Sequence, residues 1–562
     1  MASRNGISMK FKPRGTVDSW DGMNSVPGGM GSLQNLITDP STTNAFQCRP
    51  AATITADFTI GPFSNPGFIS TAFTINGYVY GLVTSNRNVG YDEPFCYNIS
   101  TGTFVAVSGI TNANVPVSPS STGDWVTPTM VVMGPTVVVT HPGFNGTNGY
   151  FGWFDITYPT SPVWHSGNTT ANGLTAIPQA VNLFYNRLYF AVSNTLQYTD
   201  TLSLNRTNAS QSLTAGDSSR ITALSLFTLT TTTQGILQGL LAFKSNTVFQ
   251  VTGDAALSTL SINSLNTAAG TVAPKSVTAP PVGVFFVAPD GIRIVQADGT
   301  VSEPDADLRL PFLNAVYQTR MNGAYNSDVY RICVQNGTKA GSPWEEYWYD
   351  IGREIWTGPH TFQQDIALPY GAGFLLFSHL NPAKMFASQV TQVNGSTFIE
   401  VGSSMVWIYA TSPVGADDNV VTNVCNIATI NMAFSSGSPP VSCTASDQAA
   451  GTLAVAVINP PATSVTTWGG FIWGNAVWFG YQYGITPNLI PWTNPLVFTK
   501  MVFQATATSS LGFKISNLRM INQPADYPIP WNVLGNTGAI PVPSSGFVWD
   551  TSFWDSGAIW PS

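Results

Sequence analysis

Apolar and β-branched residues in this chain come in short runs, each broken by a pair of turn-forming residues rather than spaced as on a helix face. FTINGYVYGL turns at Asn76-Gly77, VVMGPTVVVT at Gly134-Pro135, FFVAPDGIRIV at Asp290-Gly291 and AYNSDVYRICV at Asn326-Ser327. Asn, Asp and Gly tolerate the positive φ that a two-residue hairpin requires, so these pairs read as strand, turn, strand. Residues 190–199 (FAVSNTLQYT) and 243–252 (FKSNTVFQVT) match each other, with Ser193-Asn194-Thr195 falling on Ser245-Asn246-Thr247 at an offset of 52. In chain order the turns at 76, 134, 194, 246, 290 and 326 are spaced by 58, 60, 52, 44 and 36 residues.

A second turn follows several of these, in YNISTGTF, FDITYPTSPVW, IVQADGTV and YDIGREIW. Each unit is then a small antiparallel sheet of three or four strands. Isolated hairpins are marginal in water, so repeated units must bury their faces against one another, as propeller blades do. The expected fold is therefore all-β, with a β-propeller of six blades over residues 51–400. Asn381-Pro382 supplies either a seventh blade or the strand that closes the first, and a string of unrelated β-sandwiches is the competing arrangement.

Beyond residue 400 the runs lengthen: SMVWIYATS, NIATINMAF, TLAVAVI, PLVFTKMVFQAT and GFKISNLRMI fit a C-terminal β-sandwich domain at 401–522. The flanks differ from both. Residues 1–50 are rich in Gly, Pro and polar residues and carry Arg4, Lys10, Lys12 and Arg14; residues 523–562 end in FVWDTSFWDSGAIWPS. Both read as extended arms that depend on partners for order. Trp549, Phe553, Trp554 and Trp560 have too few neighbours for a core of their own, and are expected to anchor into another chain.

Composition sharpens this picture. Of 562 residues, 21 are Lys or Arg and 29 Asp or Glu, so charged residues make up 9%, against roughly 25% in an average soluble protein. The net charge of −8 argues against broad basic surfaces that wrap nucleic acid, although a passage for it is compatible. Residues 1–12 lack the apolar stretch of a secretory signal. The 52 residues from Gln448 to Thr499 contain no charge, but five prolines and many polar residues interrupt them, so no membrane span of ~20 apolar residues is expected. Five scattered cysteines without a CxxC pair suggest neither a disulfide framework nor a zinc site.

Catalytic patterns are sparse. The four histidines form no HExxH, and neither a GxxxxGK[ST] phosphate loop nor a GxSxG elbow occurs. Glu303, Asp305 and Asp307, followed by Arg309, could supply the carboxylate pair of a propeller glycosidase. Pro304 and Pro311 make a solvated connection between blades the better reading. Trp468, Phe471, Trp473, Trp478, Phe479, Tyr481 and Tyr483 offer either a sugar-stacking platform or, as alternating strand residues more readily do, a buried core or subunit interface. No catalytic residue, metal ligand or cofactor is assigned.

The order of SVPGGMGSLQN, the hairpin repeats, TVFQVTGD, LNTAAGTVAPKSV, VGVFFVAPDGIRIV, the sandwich and the Trp-rich end resembles the tail nozzle proteins of short-tailed bacteriophages, also called tail tubular protein B or head-closure proteins. AAGTVAPKSV (268–277) leading into APDGIRIV (288–295) is the strongest stretch. The resemblance implies a virion protein assembled in the host cytoplasm, a homohexameric ring that docks on the tail adaptor, passes viral double-stranded DNA and supports fibre or tip proteins. It implies no catalytic residues. The basic residues of the N-terminal arm would then mate with an acidic neighbour, and weakly charged or acidic walls would let DNA slide. Two other readings compete: a propeller that binds or cleaves surface polysaccharide through Glu303, Asp305 and the aromatics around Trp473, and a receptor-binding adhesin without activity.

Overall fold

The structure is a computed structural model, which describes residues 7–524 apart from 12–14, 17–28, 43, 58–68, 85–91, 110–127, 142, 145–148, 158, 168–172, 232–234, 266–267, 305–307, 393–395, 416–422, 435–437, 448–450, 461–476, 479–480, 483–485, 495, 499 and 510–511. Between residues 69 and 389 the chain forms seven small antiparallel sheets, one after another. Their first strands are Ile69–Ile75, Thr129–Met133, Ala180–Phe184, Ala223–Thr231, Val284–Ala288, Asn322–Asn326 and Ile366–Tyr370. Positive φ at Asn76 and Gly77 makes the tight turn of the first sheet.

Each sheet buries one face against the next. Val138 and Phe151 of the second sheet pack on Val181, Leu188 and Phe190 of the third. Phe243 of the fourth packs with Val284 and Phe286 of the fifth. The series does not stop at the seventh: Leu368, Leu375, Phe377 and Met385 share a cluster with Val79, Val83, Phe95 and Tyr97 of the first. The sheets therefore close into a ring, the arrangement of a β-propeller, and the first strands of most successive sheets touch.

All seven turn signals, from Asn76-Gly77 to Asn381-Pro382, fall in separate sheets. Those at 76, 134, 290 and 326 join first to second strands, whereas those at 194 and 246 join second to third. Their uneven spacing partly reflects this mixing. Asn381-Pro382 begins the third strand of the seventh sheet, Asn381–Gln389. The closing strand is instead Thr53–Asp57, which pairs antiparallel with Asn381–Gln389.

The remaining strands build two larger sheets around a second core. One contains Leu36–Thr38, Phe46–Cys48, Phe513–Pro524, Asn423–Phe434 and Thr486–Leu489; the other runs Gly15–Thr16, Gly29–Gln34, Ser403–Thr411, Lys500–Ser509, Val441–Asp447 and Gly451–Ile458. Leu33, Phe46, Trp407, Ile430, Phe503 and Leu518 lie in the shared core. The first 50 residues were expected as an arm, yet 29–48 supply central and edge strands here, because Met30, Leu33, Leu36 and Phe46 are buried in the core between the two sheets. The ring is thus inserted into the sandwich, between Phe46–Cys48 and Ile399–Glu400.

A polar seam joins the two units where the chain crosses. Arg49 is fully buried and its Nη2 donates to Glu400 Oε1 and Oε2 at 2.8 and 3.0 Å. Ala52 N–H donates to the same carboxylate at 3.1 Å, and Thr361 N–H to Asn35 Oδ1 at 3.1 Å. Thr38 Oγ1 donates to Asp350 Oδ2 at 2.5 Å, and Thr16 Oγ1 to Gly358 O at 3.0 Å, tying sandwich strands to the sixth blade. His360 sits buried beside this seam; burial first, then Arg49 and Arg331, hold it well below the usual histidine range and therefore neutral.

Removing one member of a buried ion pair leaves the other uncompensated, at a cost of about 3 kcal/mol or more. Arg49→Met should therefore destabilise the protein by that order in denaturant unfolding, and Arg49→Met with Glu400→Leu should recover much of the loss. A single substitution that costs less than about 0.5 kcal/mol, the scale of a surface position, would remove the seam from the account.

Candidate functional site

Polar side chains converge at the end of the ring where the first strands begin. Ser70 lies at the start of its strand, Asp92 opens Asp92–Asn98, and His141 follows Thr136–Thr140 in the second blade. Asp92 Oδ2 accepts from Ser70 Oγ at 2.9 Å and lies 3.0 Å from His141 Nε2; His141 and Asp92 are both fully buried. Gly143 N–H donates to His141 Nδ1 at 2.8 Å, so Nε2 carries the proton of the neutral ring and donates to Asp92. The three residue types are those of a hydrolase triad, but the order is wrong for one. The serine donates to the carboxylate and has no contact with the imidazole that would activate it. The group clasps the first blade to the second.

A second group lies in the seventh blade. Asp365 accepts from the backbone N–H of His379 at 2.5 Å and from Gln363 Nε2 at 2.8 Å, and its Oδ2 is 2.8 Å from His379 Nδ1. Ser378 donates in turn to Gln363. From the sixth blade, the Arg320 guanidinium lies 4.8 Å from the Trp344 ring centre, a cation–π contact, and Trp344 meets His379 edge-on at 5.4 Å.

Lys275 joins these groups. It sits in the helical turn Pro274–Ser276, which Ser276 fixes by accepting Val287 N–H and donating to Ala273 O. Its buried Nζ is influenced by the carboxylates of Asp365 and Asp92 and by the Arg320 cation; desolvation dominates and pushes the amine down to about 8. Two cations and two carboxylates from four parts of the ring therefore compensate one another. The arrangement brings charged groups from four parts of the ring within electrostatic reach of one another.

Of the expected carboxylate cluster, Glu303 lies elsewhere, beside the third strand of the fifth blade. Glu303 follows the outer strand Val301–Ser302 and is engaged by Arg293 Nη1 at 2.9 Å and by Arg309. Asp305 and Asp307 lie outside the described residues. So do Trp468, Phe471, Trp473, Phe479 and Tyr483, while Trp478 and Tyr481 belong to the ribbon Val477–Trp478 and Tyr481–Gln482. Of the expected interface residues, Lys10 lies on Ile7–Phe11, opposite Arg519 on Phe513–Pro524. Arg4, Lys12, Arg14, Trp549, Phe553, Trp554 and Trp560 lie outside the described residues.

Buried charges inside the blades were not singled out from sequence. Arg331 donates through Nε and Nη2 to Glu346 at 2.7 and 2.9 Å, both side chains fully buried, between the rings of Trp348 and Phe374. Lys244 Nζ donates to Asp217 Oδ1 at 2.7 Å. The available signal was a lone charge within an apolar strand run, as in VYRICV and LLAFKSN. In a chain so poor in charge, such positions stand out.

The fold and its internal charge clusters define an all-β protein with a propeller ring inserted in a sandwich. No family model matches the chain, and no curated protein matches its sequence. Among solved structures it is similar to one titled as the mitotic checkpoint complex, at 12% identity and TM-score 0.34 over 67% of this chain and 97% of that one. It is also similar to the Pan2 WD40 domain of Neurospora crassa, at 11% identity and TM-score 0.34 over 61% and 98%, and to a mutant of a puromycin hydrolase, at 12% identity and TM-score 0.36 over 64% and 61%. Likeness at this level transfers no activity; the propeller assignment rests on the closed series of sheets.

Lys275 gives a pH signature. Folded Lys275 titrates near 8 and the unfolded side chain near 10.5, so between these values the unfolded state binds more protons and stability rises with pH. The contribution is at most about 1.4 kcal/mol per pH unit. In Lys275→Met the slope of unfolding free energy between pH 8 and 10 should be flatter than in the parent protein. An unchanged slope would show that Lys275 is not the group responsible.

Proposed function

We propose that this protein is a structural component of a short bacteriophage tail, a nozzle-type subunit that assembles with copies of itself into a ring around the path of the ejected DNA. Its seven sheets act as the blades of a rigid spacer. The observation that carries the reading is the engagement of the ring's polar groups with one another. Asp92 meets His141 across the first two blades, Asp365 meets His379 within the seventh, Lys275 lies in the field of both carboxylates, and Glu303 is held between two arginines. A scaffold needs such ties, whereas hydrolysis needs a carboxylate or hydroxyl directed at substrate. The sequence resemblance in 268–295 and the net charge of −8 support the same role, since a passage without dense cations does not retain phosphates.

Within this reading the ring contacts an adaptor on one side and fibre or tip proteins on the other. Arg4, Lys10, Lys12 and Arg14 face an acidic neighbour, and Trp549, Phe553, Trp554 and Trp560 anchor in an adjoining chain. The protein has no catalytic role in this account.

Electron-microscope images of the purified protein should show rings with sixfold symmetry and an open centre wide enough for a DNA duplex. Lys10→Ser, Lys12→Ser and Arg14→Ser together should weaken incorporation into tails, most at low salt, where the charge contacts they remove are least screened. A monomer that depolymerises capsular polysaccharide would replace this function with the enzymatic one. Normal incorporation of the triple variant at every salt concentration would remove the arm from it.

A further inference from the structure

We propose that the outward face and free edge of the second sandwich sheet are where one copy of this chain packs on the next. The proposal rests on the ring-forming role and assigns it a surface. Across five strands the register places Gln34, Ile408, Thr506, Ser442 and Val457 side by side. A parallel row runs from Ser32 to Val455 through the same strands. The alternate positions, such as Leu33, Tyr409, Ala505 and Cys443, point into the core. Neither outward row contains a charged residue, although the solvated face of an antiparallel sheet is ordinarily polar.

The edge is equally unguarded. Gly451–Ile458 is the last strand of its sheet among the described residues, and it contains neither Pro nor a charge, the devices that keep sheet edges from pairing. Val455 is 58% exposed and Val457 45%. At the opposite edge, Gly15–Thr16 lies against the sixth blade, where Thr16 donates to Gly358 O. Among the described residues the two edges are therefore unequal, one covered within the chain and one left without a paired strand.

Chemistry selects the occupant. The two rows offer no Arg or Lys for phosphate and no aromatic ring for a sugar to stack on. They offer backbone N–H and C=O groups, small hydroxyls, amides and two exposed valines, which suit another protein strand or sheet. Copies of a chain with net charge −8 repel wherever their charged surfaces approach. An uncharged face with an open edge is where a second copy meets least opposition, and removing its apolar surface from water then drives association.

The test compares the full chain with Val455→Lys/Val457→Lys by light scattering across a concentration series, with circular dichroism and thermal melting to monitor folding. The parent should form multimers, and the double variant should be monomeric at the same concentrations with an unchanged melting profile. Leu257→Lys, at a position 72% exposed on the fourth blade, should leave the multimer intact. If the double variant fails to fold, Thr444→Arg, in the middle of the same face, takes its place with the same expectation. A parent multimer indifferent to these substitutions overturns the surface assignment alone. A parent that is monomeric throughout overturns both the surface and the ring-forming role.

Discussion

Closure of the propeller by Thr53–Asp57 is the constraint on which the rest of the structure depends. This strand pairs with Asn381–Gln389, more than three hundred residues later in the chain, and completes the seventh sheet. The seventh sheet then buries Leu368, Leu375 and Phe377 against the first. Without that pairing the last interface would remain at an open edge, and both end blades would expose apolar faces. Because the closing strand is preceded by the strand Phe46–Cys48, closing the ring also fixes the entry of the chain into the sandwich. Arg49 stands at that entry and reaches Glu400, where the chain returns from the ring. Ring closure and domain attachment are therefore the same structural event, with slow, long-range contact formation as its expected folding cost.

Scarcity of charge takes on a specific meaning in this architecture. Several of the few ionisable groups have been withdrawn into the fold: Arg49 with Glu400, Arg331 with Glu346, Asp92 with His141. A buried ion pair brings little net stability compared with apolar residues of similar size, but it strongly penalises an arrangement in which the partners fail to meet. Seven similar sheets face a problem of registry, since one blade resembles another in its apolar content. The pairs that join separate parts of the fold, Arg49 with Glu400 and Asp92 with His141, discriminate between correct and shifted packing, which uniform hydrophobic faces do not do. The same withdrawal leaves the outer surfaces poor in charge.

The repeat was legible because a two-residue turn has a narrow chemical requirement. Asn76-Gly77 adopts positive φ at both residues, and few other pairs do so without strain. The turn at Tyr185-Asn186 joins the first two strands of the third blade with φ of 45° and 59°, yet a tyrosine there gives no turn signal, so the next hairpin was counted in its place. Strand partners were less legible than turns. Thr53–Asp57 is a short polar strand whose position is dictated by a distant edge, and residues 29–48 owe their place to the core of the sandwich rather than to local pattern. The charge clusters were hidden for the same reason: Lys275 and Asp92 lie far apart in sequence, and only the curvature of the ring brings their fields together.

A propeller commonly offers a ligand site where its first strands converge, and this one fills that place with compensating charges. Lys275, Arg320, Asp92 and Asp365 there have no net formal charge, and their fixed geometry depends on blades that are themselves locked by the closing strand. Moving any of them to receive a substrate would disturb several interfaces together. The outward rows of the sandwich face no such restriction. They are carried by continuous strands, supported from beneath by Trp407 and Phe503, and uncommitted on their outer side among the described residues. In this molecule the ring gathers its charged groups where the first strands begin, and the uncharged outward rows lie on the sheet that holds the ring in place.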